Sequence, residues 1–536
     1  MKLLHYILPL AALLAIVSCS EDEAYFDKRV LYSTDSIYVN LTLDLSGTTI
    51  TRAVPNGGEE GDGWEYGYTN ENTLHDFCVF VLDGNNNINS AGGTQFAGYR
   101  YFTEEEVQEV DSIHQYYLNL KGYPEGQEVL KEVTTYRFAI PILKRENRDE
   151  PTGYRFLVVA NCGNITTTYT TLGALRNARP TQTWTPATTN KPASWFVMTN
   201  ENDQYHAMRG TSEENPYNLH VTIERMAARI DYDPTGSTLV SGTPRYDVKG
   251  VTPGNEVLAQ LYVDRMAIVN ASQAPSYFFK RVAEDINGTN LVYLGDETPT
   301  PRGIATNYVI EPFSAQKTNT PTPPTNERLT TLYGDSRISN AATLVGSGTP
   351  TLSLTSNTFP YTLGYVNENT FDAPQAWSYY ATGVVVQCRY APQKHYYTAY
   401  NAETDVLTEG DYALGTTFYM VEPNNPTIDE SQRLYFLNEA DAQAYATNTA
   451  KKHFGKVVKY ENGVCYYFTY MRHSNNVDVI HNTMEFGIVR NNIYRFKFLP
   501  TTGPGTPTPD PRHPEELKAR VYVKKWLSVE HPIIYV

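Results

Sequence analysis

Few places in this chain carry residues whose types and spacing could do chemistry. Ile16-Val17-Ser18-Cys19 reads as a lipobox, in which the cysteine thiol is acylated and its amine becomes a new N-terminus. Lys2 and the apolar run Leu3–Ile16 precede it, the flanks of a cleaved export signal rather than a spanning helix. Residues 1–18 are therefore expected to be removed, leaving Cys19 as the lipid attachment site and the only membrane anchor. Thr51-Arg52-Ala53 opens a Gly- and Glu-rich segment that runs to Gly63 and packs poorly, so the Arg52–Ala53 bond is open to proteolysis.

The remaining candidates fall away. Asp83-Gly84-Asn85-Asn86-Asn87-Ile88-Asn89 opens like a calcium loop, but lacks the glycine at its sixth position and the glutamate at its twelfth. A hairpin turn after Val81-Leu82 is expected there instead. His473, Asp478 and His481 lie close in sequence, which fixes no geometry, and a polar loop is the expectation. Neither HExxH nor G-x-S-x-G occurs. No catalytic residue, metal or cofactor is expected, and the chain does not read as an enzyme. Cys78, Cys162, Cys388 and Cys465 lie far apart without a CxxC pair, so zinc and redox motifs fail. Disulfides stay open, and buried thiols are expected. Trp526 could stack on a ligand, though such a residue more often packs in a strand.

The elements that must position these residues are strands. The 536-residue chain is too long for one simple core, and 42 tyrosines with 35 glycines suit β-sandwiches. The expected class is all-β, two sandwich domains at 53–217 and 218–536, with a few short helices. A net charge of -16 excludes nucleic acid as a partner. In Ile37-Tyr38-Val39-Asn40-Leu41-Thr42-Leu43-Asp44-Leu45, the residues Ile37, Val39, Leu41, Leu43 and Leu45 point one way, which makes a strand with one buried face. With the cleavable segment after it, residues 19–52 read as a propeptide whose strand can be removed whole. Asn218–Tyr232 alternates as one long strand, and the domain boundary is placed just before it. Asn438 is expected to cap a helix running to about Lys451, and a shorter helix follows Thr171. Thr501–Pro514 is a proline-rich tether of extended geometry. It leads to a last strand (515–536) in which Val521, Val523, Leu527 and Val529 share a face, Lys525 interrupts, and Ile533 and Ile534 extend it.

The run Tyr466-Tyr467-Phe468-Thr469-Tyr470-Met471-Arg472-His473 resembles the type V fimbrillins, the protease-assembled pilins of Gram-negative anaerobes, closest to their minor fimbrium subunit. So do Met484-Glu485-Phe486-Gly487-Ile488-Val489-Arg490-Asn491-Asn492-Ile493-Tyr494, the closing Val521-Tyr522-Val523-Lys524-Lys525-Trp526, and, near the start, Asn70-Glu71-Asn72. The resemblance implies transthyretin-like sandwiches and an outer-membrane lipoprotein precursor that matures into a surface fimbrium supporting adhesion and virulence. It implies cleavage after Arg52 by an Arg-specific surface protease, loss of the first strand, and donor-strand exchange into the vacated groove. The partners would be further copies head to tail, with accessory tip and anchor subunits. The apolar continuation to Val536 favours a stalk subunit over a tip or an anchor. The alternative is a surface glycan-binding lipoprotein that stays anchored and stacks sugars on Tyr and Trp.

Overall fold

Alternating apolar residues between turn-rich connections dictate strands through most of the chain. In the computed structural model the described residues are 36–45, 63–108, 113–118, 129–141, 153–208, 211–212, 214–249, 256–295, 308–317, 349–371, 380–423, 433–473, 484–499, 503–508 and 519–527. The strands begin with β1 (Ser36–Leu45), β2 (Gly63–Tyr66), β3 (Phe77–Asp83), β4 (Gly98–Phe102), β5 (Ile113–Leu118), β6 (Val129–Pro141), β7 (Gly153–Ala160), β8 (Met198–Asn200), β9 (His206–Ala207) and β10 (Tyr217–Arg225). Next are β11 (Ala228–Asp233), β12 (Thr238–Val240), β13 (Thr243–Lys249), β14 (Val257–Val269), β15 (Arg281–Ala283), β16 (Val292–Tyr293), β17 (Tyr308–Val309), β18 (Tyr361–Val366) and β19 (Gly383–Pro392). The last are β20 (Tyr396–Asn401), β21 (Val406–Glu409), β22 (Phe418–Pro423), β23 (Leu434–Phe436), β24 (Gly455–Tyr460), β25 (Val464–Tyr470), β26 (Asn492–Phe498) and β27 (Ala519–Leu527).

The all-β class holds. A nine-stranded sheet runs β4-β3-β7-β8-β10-β1-β6-β5, with β9 on β7, and it curls so that β4 approaches β6. A second sheet, β18-β11-β26-β27-β2, and a third, β12-β13-β14-β19-β25, face each other as a sandwich. Ile230, Tyr232, Phe496 and Val523 of one pack there against Leu261, Val386 and Tyr467 of the other. The fourth sheet is β16-β15-β17, and the fifth, β21-β20-β23-β22-β24, is inserted between β19 and β25 and packs on the helix Glu439–Ala446.

Three expectations are corrected. Asn218–Tyr232 is two strands, not one. β10 belongs to the first sheet and β11 to the second, so a division before Asn218 runs through a strand of the first sheet. The chain switches sheets at Met226–Ala227, where Met226 N–H donates to Val197 O at 2.9 Å and Ala227 O accepts from Asn491 N–H at 2.8 Å. The helix after Asn438 ends at Ala446, and Thr449–Lys451 is a separate 3-10 turn capped by the Asn448 side chain. The Asn438 side chain itself makes no cap bond. The helix after Thr171 spans Leu172–Asn177, with the Thr171 hydroxyl accepting from Ala174 N–H as expected.

The proline-rich tether is the third correction, because its described part is docked. Gly503 O accepts from the Tyr467 hydroxyl at 2.8 Å and Gly505 O from the Tyr460 hydroxyl at 2.9 Å, while Thr506 forms a bridge with Tyr466. Glycine is required for this approach: a Cβ on Gly505 would lie 2.1 Å from Tyr466 O.

Candidate assembly site

β1 is the part of the first sheet that could be exchanged. It pairs antiparallel with β6, from Ser36 opposite Pro141 to Thr42 opposite Thr135. On its other edge it pairs parallel with β10, from Val39 opposite Tyr217 to Leu45 opposite Ile223. No tight turn joins it to either neighbour, since both lie far downstream in the chain. Ile37, Val39, Leu41 and Leu43 are buried in a core with Val79, Val158, Leu219 and Val221. The backbone of Leu45 closes the strand. Asn40 Nδ2 donates to Asn218 Oδ1 at 3.0 Å, and Tyr38 N–H to Thr211 Oγ1 at 3.3 Å. Four buried aliphatic side chains at about 1.5–3 kcal/mol each hold the strand by roughly 6–12 kcal/mol. Cutting the chain between β1 and β2 therefore leaves β1 seated until another strand replaces it.

β27 stands in a different setting. It lies inside the second sheet, antiparallel to β26 and parallel to β2, so both of its edges are already paired within the chain. Val521 and Val523 are buried in the sandwich core, while Trp526 points to the opposite face and is buried in the core that also holds β1. In this chain the Val521 and Val523 side chains fill the core of their own subunit. Leu527 ends β27. Val529, Ile533 and Ile534 lie outside the described residues, as do Cys19, Arg52 and Ala53.

What locks β27 is a polar junction at Asn70-Glu71-Asn72. The buried Glu71 carboxylate accepts from Arg229 Nη1 at 2.9 Å, Tyr365 Oη at 2.6 Å, Trp526 Nε1 at 3.1 Å and Tyr68 N–H at 2.7 Å. Arg229 Nη2 also donates to Glu65 at 2.7 Å and to Asp231 at 3.1 Å, and Arg495 joins the same two carboxylates at 2.7 and 2.8 Å. Arg225 donates to Glu71 O at 2.9 Å, to Trp526 O at 3.2 Å and to Asn72 Oδ1, and lies 4.6 Å from the Trp526 ring centroid. Three guanidiniums thus meet three carboxylates, and the buried charge balances. Burial draws Arg225 down to about 10 against the pull of Glu71. Burial alone would raise Asp231, but Arg229 and Arg495 hold it below the usual carboxylate range. Burial, then the Glu71 charge, pushes the Tyr365 phenol up, so it stays a donor. A Cβ on Gly67 would sit 2.7 Å from Trp526 Nε1, which fixes glycine there.

Of the C-terminal motif, Asn491 belongs to the same junction. Asn491 adopts φ 55° and accepts from Arg225 Nη1 at 3.2 Å, and Arg490 is buried on Glu368 at 2.8 Å. His473 lies on a bend past β25 but is buried, with Nδ1 2.8 Å from Tyr494 Oη. Asp478 and His481 lie outside the described residues. Trp526, being buried, offers no face to a sugar. Asp83 closes an Asx turn through Asn85 N–H at 3.2 Å, and β3 and β4 pair antiparallel across the long connection 84–97 rather than through a tight hairpin turn. Among the described residues no cluster of three metal-ligating side chains occurs, and no helix is long and apolar enough to cross a membrane. The sequence reading missed Glu65, Arg225, Arg229, Asp231, Tyr365 and Arg495; buried arginines inside alternating strands were the available signal.

An all-β chain with an internal, separately connected first strand and a C-terminal strand locked into its own sheet is thus defined. Residues 458–532, which span β25, β26 and β27, match the family model of the fimbrillin C-terminal region of the type IV major fimbrial subunit protein. The resemblance to fimbrillins is borne out there. Among solved structures the chain is similar to a fimbrilin from Porphyromonas gingivalis, at 12% identity and a TM-score of 0.38, covering 92% of this chain and 99% of that one. It is also similar to the C-terminally truncated tip fimbrial protein Mfa3 from Porphyromonas gingivalis, at 10% identity and a TM-score of 0.33, covering 92% and 100%. No curated protein matches the chain.

Proposed function

We propose that the chain is a stalk subunit of a surface fimbrium that supports adhesion. It is exported as an outer-membrane lipoprotein on Cys19, cleaved between Arg52 and Ala53, and polymerised head to tail by strand exchange. The observation that carries this reading is the setting of β1: an internal strand with four buried aliphatic residues and no turn to either neighbour. Its removal bares two backbone edges and an apolar groove, the substrate of β-augmentation. The contact joins two different surfaces, so it propagates as a filament. Tip and anchor subunits and an Arg-specific protease are the implied partners.

The donor is the segment beyond Leu527. Val529, Ile533 and Ile534 supply its apolar residues, and Pro532 forfeits one ladder bond. Ending the chain after Leu527 should give a processed monomer with an unchanged unfolding midpoint and no filaments by electron microscopy. Full-length filaments from that truncation would move the donor elsewhere. Cys19→Ser should leave unlipidated precursor in the cell envelope and no surface fimbriae. Normal fimbriae from that variant would take the lipid out of the account.

A further inference from the structure

The inserted fifth sheet leaves the third sheet through β19 and returns through β25, so these two neighbouring strands form its neck. Cys388 on β19 stands directly opposite Cys465 on β25 in the antiparallel register. Direct partners share a face, with Cβ atoms about 4.5–5.5 Å apart. A cystine spans roughly 3.5–4.5 Å between its Cβ atoms. A small approach of the two strands is enough to join them. Both side chains are buried in the same core, among Tyr390 and Tyr467.

We propose that Cys388 and Cys465 form a cross-strand disulfide that closes the neck of the inserted sheet. Both are thiols in the structure. The oxidant is a protein or small-molecule disulfide. One cysteine thiolate attacks it and expels a first thiol; the other attacks the mixed disulfide and expels the second. The cysteines lose two electrons and two protons, and the oxidant is reduced to two thiols. Burial, then the neighbouring Cys465, pushes the Cys388 thiol well above its ordinary value, and a protonated thiol is a poor nucleophile. The bond therefore forms during folding, while the pair is open to solvent, and is shielded from reductant afterwards. It bridges 465 − 388 = 77 positions, enclosing all of β20 to β24. Tension carried along a filament then bypasses the insertion.

Cys78 and Cys162 provide the internal control. Cys78 on β3 faces Val159 in register, and Cys162 lies past the end of β7. The Cys78 thiol donates to Gly163 O at 3.4 Å, and burial pushes both thiols up to about 12. The two belong to one apolar cluster, but no strand register sets them directly opposite each other, unlike Cys388 and Cys465.

The test is to unfold the full chain, refold it with a glutathione redox couple, block remaining thiols with N-ethylmaleimide in denaturant, and map the peptides. A linked pair containing Cys388 and Cys465, lighter by two hydrogens than its parts, is expected, with label on Cys78 and Cys162. Cys465→Ala should abolish the link and leave Cys388 labelled. Label on both Cys388 and Cys465 after oxidative refolding, or a link from either to Cys78 or Cys162, would overturn the proposal. The proposed export enters only as the source of the oxidant in the cell. The refolding experiment supplies its own, so a failure of export leaves this result unchanged.

Discussion

Glu71→Ala should destabilise the chain by about 3–5 kcal/mol, because it strips one member from a buried charge cluster and leaves cationic and polar donors behind. Arg229 keeps Glu65 and Asp231, but Tyr365 Oη and Trp526 Nε1 lose the acceptor they share. The effect should centre on β27. Hydrogen exchange of Val521–Trp526 amides should rise before that of β1, and denaturant unfolding should shift to lower midpoint. Glu71→Gln retains one acceptor oxygen and the side-chain volume, so it should cost less than the alanine variant. A change below about 1 kcal/mol for Glu71→Ala would mean that the cluster is not what holds the C-terminal strand.

Arg52→Ala should abolish polymerisation and leave a folded monomer that retains its first strand. The precursor groove is already filled by Ile37, Val39, Leu41 and Leu43, and an incoming segment must displace roughly 6–12 kcal/mol of burial while the strand is still tethered. Cutting the tether lets the displaced strand leave, which makes the exchange irreversible by dilution. Gel filtration of the purified variant should give one monomeric peak with the wild-type precursor's unfolding midpoint. Heat-sensitive ladders from Arg52→Ala protein would show that exchange proceeds without the cut.

The first strand was legible in the sequence because a strand with one buried face repeats every two residues, and Ile37 to Leu45 does so without a break. The sheet switch at Met226–Ala227 was not read, although the apolar positions change phase there, from Leu219, Val221 and Ile223 to Ala228, Ile230 and Tyr232. What decides the switch is pairing to Val197 and Asn491, which no local pattern encodes. Glu71 stood out only as part of a family motif. Its chemistry comes from Arg229 and Trp526, 158 and 455 residues away. The proline-rich tether read as extended from its composition. Its docking depends on the hydroxyls of Tyr460 and Tyr467, which lie 45 and 36 residues upstream of the glycines they bind.

Mass spectrometry of subunits in purified heat-sensitive polymers tests most directly whether β1 is the strand that assembly replaces. Each subunit should begin at Ala53 and retain 536 − 52 = 484 residues, with no peptide covering Ile37–Leu45. A stoichiometric peptide from Ile37–Leu45 in those polymers would mean that the groove is never vacated, and strand exchange at this site would be contradicted.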